Sequence, residues 1–182
     1  MEIPTPLSDL AEKAEAADVA VGERLTIPKD EPLAKGADKV GKLGDQGPLY
    51  AVATVLILGG WASRDRRLAG AGVAMLGAVA AADGGKTLAK HSVSRTRPHV
   101  LLEGHNYKAK AGGSEEKSEQ SFPSGHVAGC VAAARAIHRA YPEAGHGLTI
   151  ATLIIAAARL VKGAHWPLDV AAGAAIGWAA EA

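Results

Sequence analysis

Residues 49–82 read LYAVATVLILGGWASRDRRLAGAGVAMLGAVAAA, and this stretch decides the fold predicted for the chain. It holds two uncharged runs, 49–63 and 68–82, separated by a short turn rich in arginine. Neither run alternates apolar and polar side chains in the way that a half-buried strand does. The stretch therefore predicts two helices joined by a charged turn.

Three further runs of the same kind follow along the chain, at 127–134, 144–158 and 170–180. All are rich in Ala, Gly, Val, Leu and Ile, and none shows the alternation of a strand. A chain of 182 residues is long enough for one sizeable core. We therefore predict an all-α fold, a bundle of about five core helices within a helical domain at 48–182.

Residues 1–47 differ from the rest in composition and form a polar N-terminal segment. Residues 7–25 carry helix formers with a weak apolar stripe and predict an amphipathic helix, after which prolines and glycines interrupt any long element. The segment holds ten acidic and six basic residues, whereas 48–182 hold nine acidic and fourteen basic. The helical part is basic and suits an anionic ligand. No signal peptide is predicted, because residues 1–25 are charged and lack an apolar core.

The bundle is predicted to span a membrane, although the runs are shorter than the roughly 20 residues of a full span and mean hydropathy is only +0.06. Small residues suit close packing between membrane helices. The turns carry basic residues, which the positive-inside tendency places in the cytoplasm: Arg64, Arg66, Arg67, Arg135 and Arg139. A soluble bundle stays open as the alternative.

The polar stretch 101–121 predicts either a lid over the site or a solvated linker.

Three short motifs carry the chemistry. The first reads K-HSVSRT-RP from Lys90 to Pro98, the second is PSGH at 123–126, and the third reads AR-LVKGA-H-WPL-D from Ala158 to Asp169. All three fall at helix ends on the side opposite the arginine-rich turns. A phosphoryl group in transfer carries negative charge on three oxygens, so fixed cations and amide donors are needed around it. Lys90, Arg97 and Arg159 are the candidate cations.

These motifs resemble the pattern of the type 2 phosphatidic acid phosphatase superfamily, K-x6-RP, PSGH and SR-x5-H-x3-D, with every internal gap kept. That superfamily also holds bacterial non-specific acid phosphatases and vanadium haloperoxidases. The resemblance covers roughly residues 84–182. One position departs from it, because Ala158 replaces the family's serine. Losing one neutral donor to the phosphate would weaken transition-state binding by roughly 1 to 3 kcal/mol, which slows an enzyme without abolishing it.

The resemblance implies a catalytic role for three residues: His165 as the nucleophile that forms a phosphohistidine, His126 as the general acid, and Asp169 as the carboxylate that orients His165. Residues that bind the phosphate are implied to be Lys90, Arg97, Ser124, Gly125 and Arg159. Ser124 also suits the N-cap of the next helix. Arg95 lies outside the pattern and is interpreted as a membrane-interface anchor.

The function predicted is that of a metal-independent phosphatase in the inner (plasma) membrane with its active site facing outward. Its substrate would be a lipid phosphate of the phosphatidic acid, phosphatidylglycerol phosphate or polyprenyl diphosphate type. Metal-ligand spacing is absent, so no metal or other cofactor is expected. No basic-aromatic interleaving suggests nucleic acid as a partner. A soluble acid phosphatase, a vanadate-dependent haloperoxidase and a catalytically weakened homologue are the alternatives, and the sequence predicts no oligomeric state.

Overall fold

The computed structural model describes residues 6–182 and shows an all-α bundle, as predicted. Its helices are α1 (Pro6–Leu25), α2 (Pro32–Gly41), α3 (Gln46–Ala62), α4 (Arg66–Ser92), α5 (Pro98–Leu102), α6 (Gly125–Ala140), α7 (Pro142–Val161) and α8 (Pro167–Ala179). Two short strands, β1 (Val93–Arg95) and β2 (Ala109–Ala111), pair antiparallel. The five apolar runs correspond to α3, α4, α6, α7 and α8, which confirms the predicted core helices.

The central helix of the bundle is α6, which packs against α4, α7 and α8. Its contacts are made largely by small side chains: Ala128, Ala132, Ala133 and Ala136 are all buried. Small residues let two helix backbones approach closely. Gly173 of α8 shows how tight the approach is, because a Cβ added there would collide with the carbonyl oxygen of Ser124. This contact holds the middle of α8 against the start of α6.

The two ends of the bundle differ in chemistry. At one end lie the α3–α4 and α6–α7 turns, where Asp65 caps α4 by accepting hydrogen bonds from the backbone N–H groups of Arg67 and Leu68. Arg67 also donates to the carbonyl of Ala140 and stacks over the ring of Tyr141. The three sequence motifs lie at the opposite end, at the ends of α4 and α7 and the starts of α6 and α8.

The N-terminal segment packs on the bundle. The predicted helix at 7–25 is present as α1, which contacts α5, α7 and α8, whereas α2 was not predicted and lies on α7. A 3-10 turn at Lys42–Gly44 connects α2 to α3. Gly22 packs so closely on Trp166 that a Cβ would overlap the indole ring. The segment thus forms one wall of the motif end.

Apolar side chains cover much of the outer surface of the core helices. Large exposed examples are Val55, Leu58, Trp61, Val73, Ile150, Leu153 and Trp178. Two helices, α4 and α7, are long and apolar enough to cross a membrane, and α3 is apolar but shorter. The stretch 101–121 lies beside the motif end and contains β2 and a 3-10 turn at Lys117–Glu119.

Candidate active site

A cavity of about 190 Å³ lies at the motif end of the bundle. Six of the eight predicted site residues line it: Lys90, Arg97, Gly125, His126, Arg159 and His165. The other two, Ser124 and Asp169, are fully buried directly behind them. The cavity is smaller than the roughly 300–1,000 Å³ of pockets for drug-sized ligands, so its size suits a small anion. Gly44, Asp45, Gln46 and Lys86 complete the lining.

His165 is buried and held by one short hydrogen bond. Its Nδ1 lies 2.7 Å from the backbone carbonyl oxygen of Ser121. Because a carbonyl only accepts, Nδ1 carries the proton and Nε2 keeps its lone pair. Burial, and then the charges of Arg97 and Arg159, lower the pKa of His165 well below its usual value. The ring is therefore neutral and nucleophilic at physiological pH.

Asp169 does not hydrogen-bond His165 in this structure, which differs from the arrangement expected from the sequence. The closest approach, from His165 Nδ1 to Asp169 Oδ2, is 4.0 Å. Asp169 Oδ2 instead accepts hydrogen bonds from the Ser121 hydroxyl and from the backbone N–H of Trp166. The carboxylate thus holds the hydroxyl of Ser121, and the backbone carbonyl of Ser121 holds the imidazole of His165. Asp169 orients His165 through one intervening residue.

Arg95 is part of this network, so its interpretation as an exposed membrane anchor is wrong. Its side chain is only 6% exposed and lies between two carboxylates. Its guanidinium is 2.9 Å from Asp169 Oδ1 and 2.7 Å from Asp18 Oδ2 of α1. The ring of Tyr107 lies beside it and receives a hydrogen bond on its hydroxyl. Arg95 joins the N-terminal helix to the carboxylate behind His165.

His126 stands across the cavity from His165, with 6.4 Å between the ring centroids. It lies at the start of α6, just before the apolar run 127–134. Its Nε2 is 2.6 Å from Asp45 Oδ1. Burial and the charge of Arg159 lower the pKa of His126 to about 4, while Asp45 acts in the opposite direction. Asp45 was not among the residues singled out from the sequence.

Several buried polar atoms around the cavity have no hydrogen-bond partner within residues 6–182. They include Ser124 Oγ, Arg97 Nε and Arg159 Nε. Buried polar groups almost always find a partner, so such atoms point to a ligand or solvent. The backbone N–H of Ser124 already donates to the carbonyl of Asp169. The hydroxyl of Ser124, and not its amide, is thus the donor left for an anion.

Lys86 is a fourth cation that lines the cavity, and it was not among the site residues expected from the sequence. It pairs with Asp83 at 2.5 Å, and Asp83 also accepts a hydrogen bond from Gln46 at the start of α3. Lys86 lies one helical turn before Lys90 on α4, and this i, i+4 spacing was the one signal that could have identified it. Asp45 and Arg95 carried no comparable signal, because their partners lie far away in the sequence.

Comparisons with known proteins identify the family of this chain. The profile of the PAP2 superfamily matches residues 71–182, which is more than half of the chain. The crystal structure of Aquifex aeolicus LpxE is similar, with a TM-score of 0.58 and 20% sequence identity over 90% of this chain and 91% of that chain. At that identity the likeness shows the fold alone. Nothing among the curated proteins matches. The helical fold and the extent of the family match show that this chain belongs to the PAP2 superfamily.

Proposed function

We propose that this protein is a membrane phosphatase that hydrolyses a phosphomonoester or diphosphate of a lipid through a phosphohistidine intermediate. The observation that carries the proposal is the single small cavity that brings together two histidines and the cations Lys90, Arg97 and Arg159. Membership of the PAP2 superfamily supports the reaction class. The unpartnered donors Ser124 Oγ, Arg97 Nε and Arg159 Nε support an anionic occupant.

The residues divide the work of a two-step displacement. The cations and the Ser124 hydroxyl neutralise the charge on the phosphoryl oxygens, which is the larger part of phosphoryl-transfer catalysis. His165 attacks phosphorus with Nε2, since its Nδ1 proton is held by the carbonyl of Ser121. His126 protonates the leaving oxygen and then removes a proton from the water that hydrolyses the phosphohistidine.

A lipid substrate is supported by an apolar groove next to the site. The groove has a volume of about 330 Å³ and runs between the 3-10 turn, α3, α6 and α7, with Leu49, Val52, Leu148 and Ile155 among its lining residues. Gly44 separates it from the catalytic cavity: Gly44 lines the cavity, and a Cβ on it would lie 3.0 Å from Cys130 Sγ and 3.1 Å from Ile155 Cγ2 in the groove. A chain lying in this groove would place its phosphate near His165.

An outward-facing site in the inner (plasma) membrane is supported by the two ends of the bundle. The arginine-rich turns meet at one end, where Arg67 bonds Ala140, and the cavity lies at the other. Basic turns favour the cytoplasmic side of a membrane. Exposed apolar side chains on α3, α4 and α7 supply a surface for lipid. Membrane insertion also removes the need for a protein partner to cover that surface.

The central experiment is a phosphate-release panel in detergent. Lipid phosphates and lipid diphosphates of several chain lengths are compared in the presence of a chelator, with the His165→Ala variant as the control. We expect release that survives the chelator, increases with chain length and disappears in the variant. Release that the chelator abolishes, or that His165→Ala retains, would contradict the proposed mechanism.

A Gly44→Val variant, which narrows the junction with the groove, should lose activity on long chains while retaining it on short ones.

Orientation is tested by labelling intact cells with a membrane-impermeant maleimide. Cys130 is the one cysteine of the chain and is buried, so it is first replaced by alanine. A cysteine at Ser114, on the stretch beside the site, should be labelled, whereas one at Ser63, in the arginine-rich turn, should not. Labelling in the reverse order would overturn the outward orientation.

A further inference from the structure

The contact between Asp45 and His126 is the part of the site that neither the motifs nor the superfamily match contains. Asp45 lies in the N-terminal segment, between the 3-10 turn and α3, and precedes the matched residues 71–182. Its Oδ1 is 2.6 Å from His126 Nε2, which is a short, charge-assisted hydrogen-bond distance. Asp45 stands at the N-cap position of α3, yet its side chain makes no capping hydrogen bond. The carboxylate is therefore directed at the histidine and not at the helix.

The charges around His126 make this carboxylate chemically significant. The other charged or titratable groups that line the same cavity are all basic: Lys86 and Lys90 on α4, Arg97 before α5, Arg159 on α7, and His165 between α7 and α8. Cations and burial both disfavour a protonated imidazole. Among the lining residues, Asp45 alone carries a negative charge. A histidine that must donate a proton thus has one group that favours its protonated form.

We propose that Asp45 is the acidic partner of His126, a positioning residue that accepts a hydrogen bond from Nε2–H and so favours the imidazolium, which delivers its other ring proton, on Nδ1, to the leaving oxygen. This inference rests on the proposed phosphatase function. In the first step the bond from His165 Nε2 to phosphorus forms, the bond from phosphorus to the leaving oxygen breaks, and the proton of His126 passes to that oxygen. In the second step water attacks phosphorus, His126 takes a proton from that water, and the P–N bond breaks. Asp45 stays ionised throughout and exchanges no proton.

The test compares two leaving groups in the Asp45→Asn variant, which keeps the shape of the side chain and removes its charge. An alkyl oxygen leaves poorly without a proton, whereas p-nitrophenolate leaves well without one. We expect kcat/KM for a lipid phosphate to fall about 10- to 100-fold, within the range that a general acid contributes, and kcat/KM for p-nitrophenyl phosphate to fall no more than about threefold. A structural defect would lower both equally, and that result would overturn the proposal.

The pH profile gives a second readout that a structural role would not change. Since the charge of Asp45 favours the imidazolium, its removal lowers the pKa of His126 further. A general acid works only while protonated, so the alkaline limb of the lipid phosphate profile should move to lower pH in the variant. An unmoved limb, or a variant faster than the wild type, would contradict the proposed role. Asp30→Asn, which neutralises an exposed aspartate of the same segment, is the matched control and should behave as the wild type does.

A measurement without substrate separates this inference from the proposed function. The imidazole carbons of His126 are followed by NMR during a pH titration in detergent, with His126→Gln used to assign the resonance. We expect a lower pKa for His126 in Asp45→Asn than in the wild type, and equal values would refute the pairing. A wild-type protein that releases phosphate from no ester would refute the proposed phosphatase, while the titration would still decide whether Asp45 acts on His126.

Discussion

Replacing Arg95 by methionine should destabilise the protein far more than a surface change does. Arg95 is buried between Asp18 and Asp169, which are themselves 6% and 0% exposed. Methionine fills a similar length but leaves two buried carboxylates without their cation. Asp169 would retain its bonds from Ser121 and Trp166, and Asp18 its bond from the backbone N–H of Leu168. The substitution therefore removes the cation that the two carboxylates share, but it leaves these other hydrogen bonds in place.

The size of the effect follows from the burial of the ion pairs. Removing one member of a buried pair costs about 3–5 kcal/mol, whereas an exposed pair contributes about 0–1 kcal/mol. For a chain of this length, each kcal/mol lowers the melting temperature by about 2–4 °C, so Arg95→Met should melt about 6–20 °C below the wild type. Thermal unfolding in detergent measures the difference. Arg24→Met, at an exposed position of α1, is the matched control and should change little.

The deficit should also depend on pH. Burial raises the pKa of Asp169 and Arg95 opposes that rise, so without Arg95 the pKa lies higher still above the unfolded value and protonation favours the fold. The difference from the wild type should therefore shrink as the pH falls through that raised pKa. A deficit within about 1 kcal/mol of the Arg24→Met control, or one that is constant from neutral to acid pH, would refute the reasoning about the buried pair.

Three further predictions concern His165 and the proposed anion site. Because the pKa of His165 lies well below 6.5, deprotonation of His165 should give kcat/KM no acid limb centred near that pH, and such a limb in the pH–rate profile would contradict this. Ser121→Ala removes the hydroxyl that Asp169 holds but retains the carbonyl that holds His165, so steady-state kcat should fall about 3- to 10-fold, and by less than in Asp169→Asn. Gly41→Ala places a Cβ 2.9 Å from Arg159 Nη1, and inhibition by inorganic phosphate should weaken severalfold; an unchanged inhibition constant would show that Arg159 does not bind the anion.

The core helices and the cavity-lining motif residues could be predicted because both follow from local patterns. Each apolar run specifies a helix by its own composition, and the motifs stand at the ends of those helices. A chain that leaves α4 at Lys90 and re-enters the bundle at His126 returns to the same end, so the residues meet there. The positions of Arg159 and His165 follow from the same alternation of helix directions.

The parts that were missed depend on packing between distant segments. The prolines and glycines around α2 interrupt its periodicity, and the helix is stabilised by its contact with α7. Arg95 resembles an exposed basic residue until Asp18 of α1 is brought beside it. The spacing of His165 and Asp169 indicates a direct bond, but Ser121 enters between them from another part of the chain. None of these contacts leaves a trace in local sequence.

The close packing of α1 and α2 on the catalytic end determines how much of the chain must be kept in any truncated or chimeric protein. The superfamily match begins at residue 71, but a fragment starting there would lack Asp18, Gly41 and Asp45. It would expose the indole of Trp166, which Gly22 covers, and would leave Arg95 with one carboxylate fewer. The smallest unit that keeps these contacts therefore includes α1, and exchanging this segment between relatives would replace the partners of Arg95, His126 and Trp166 together.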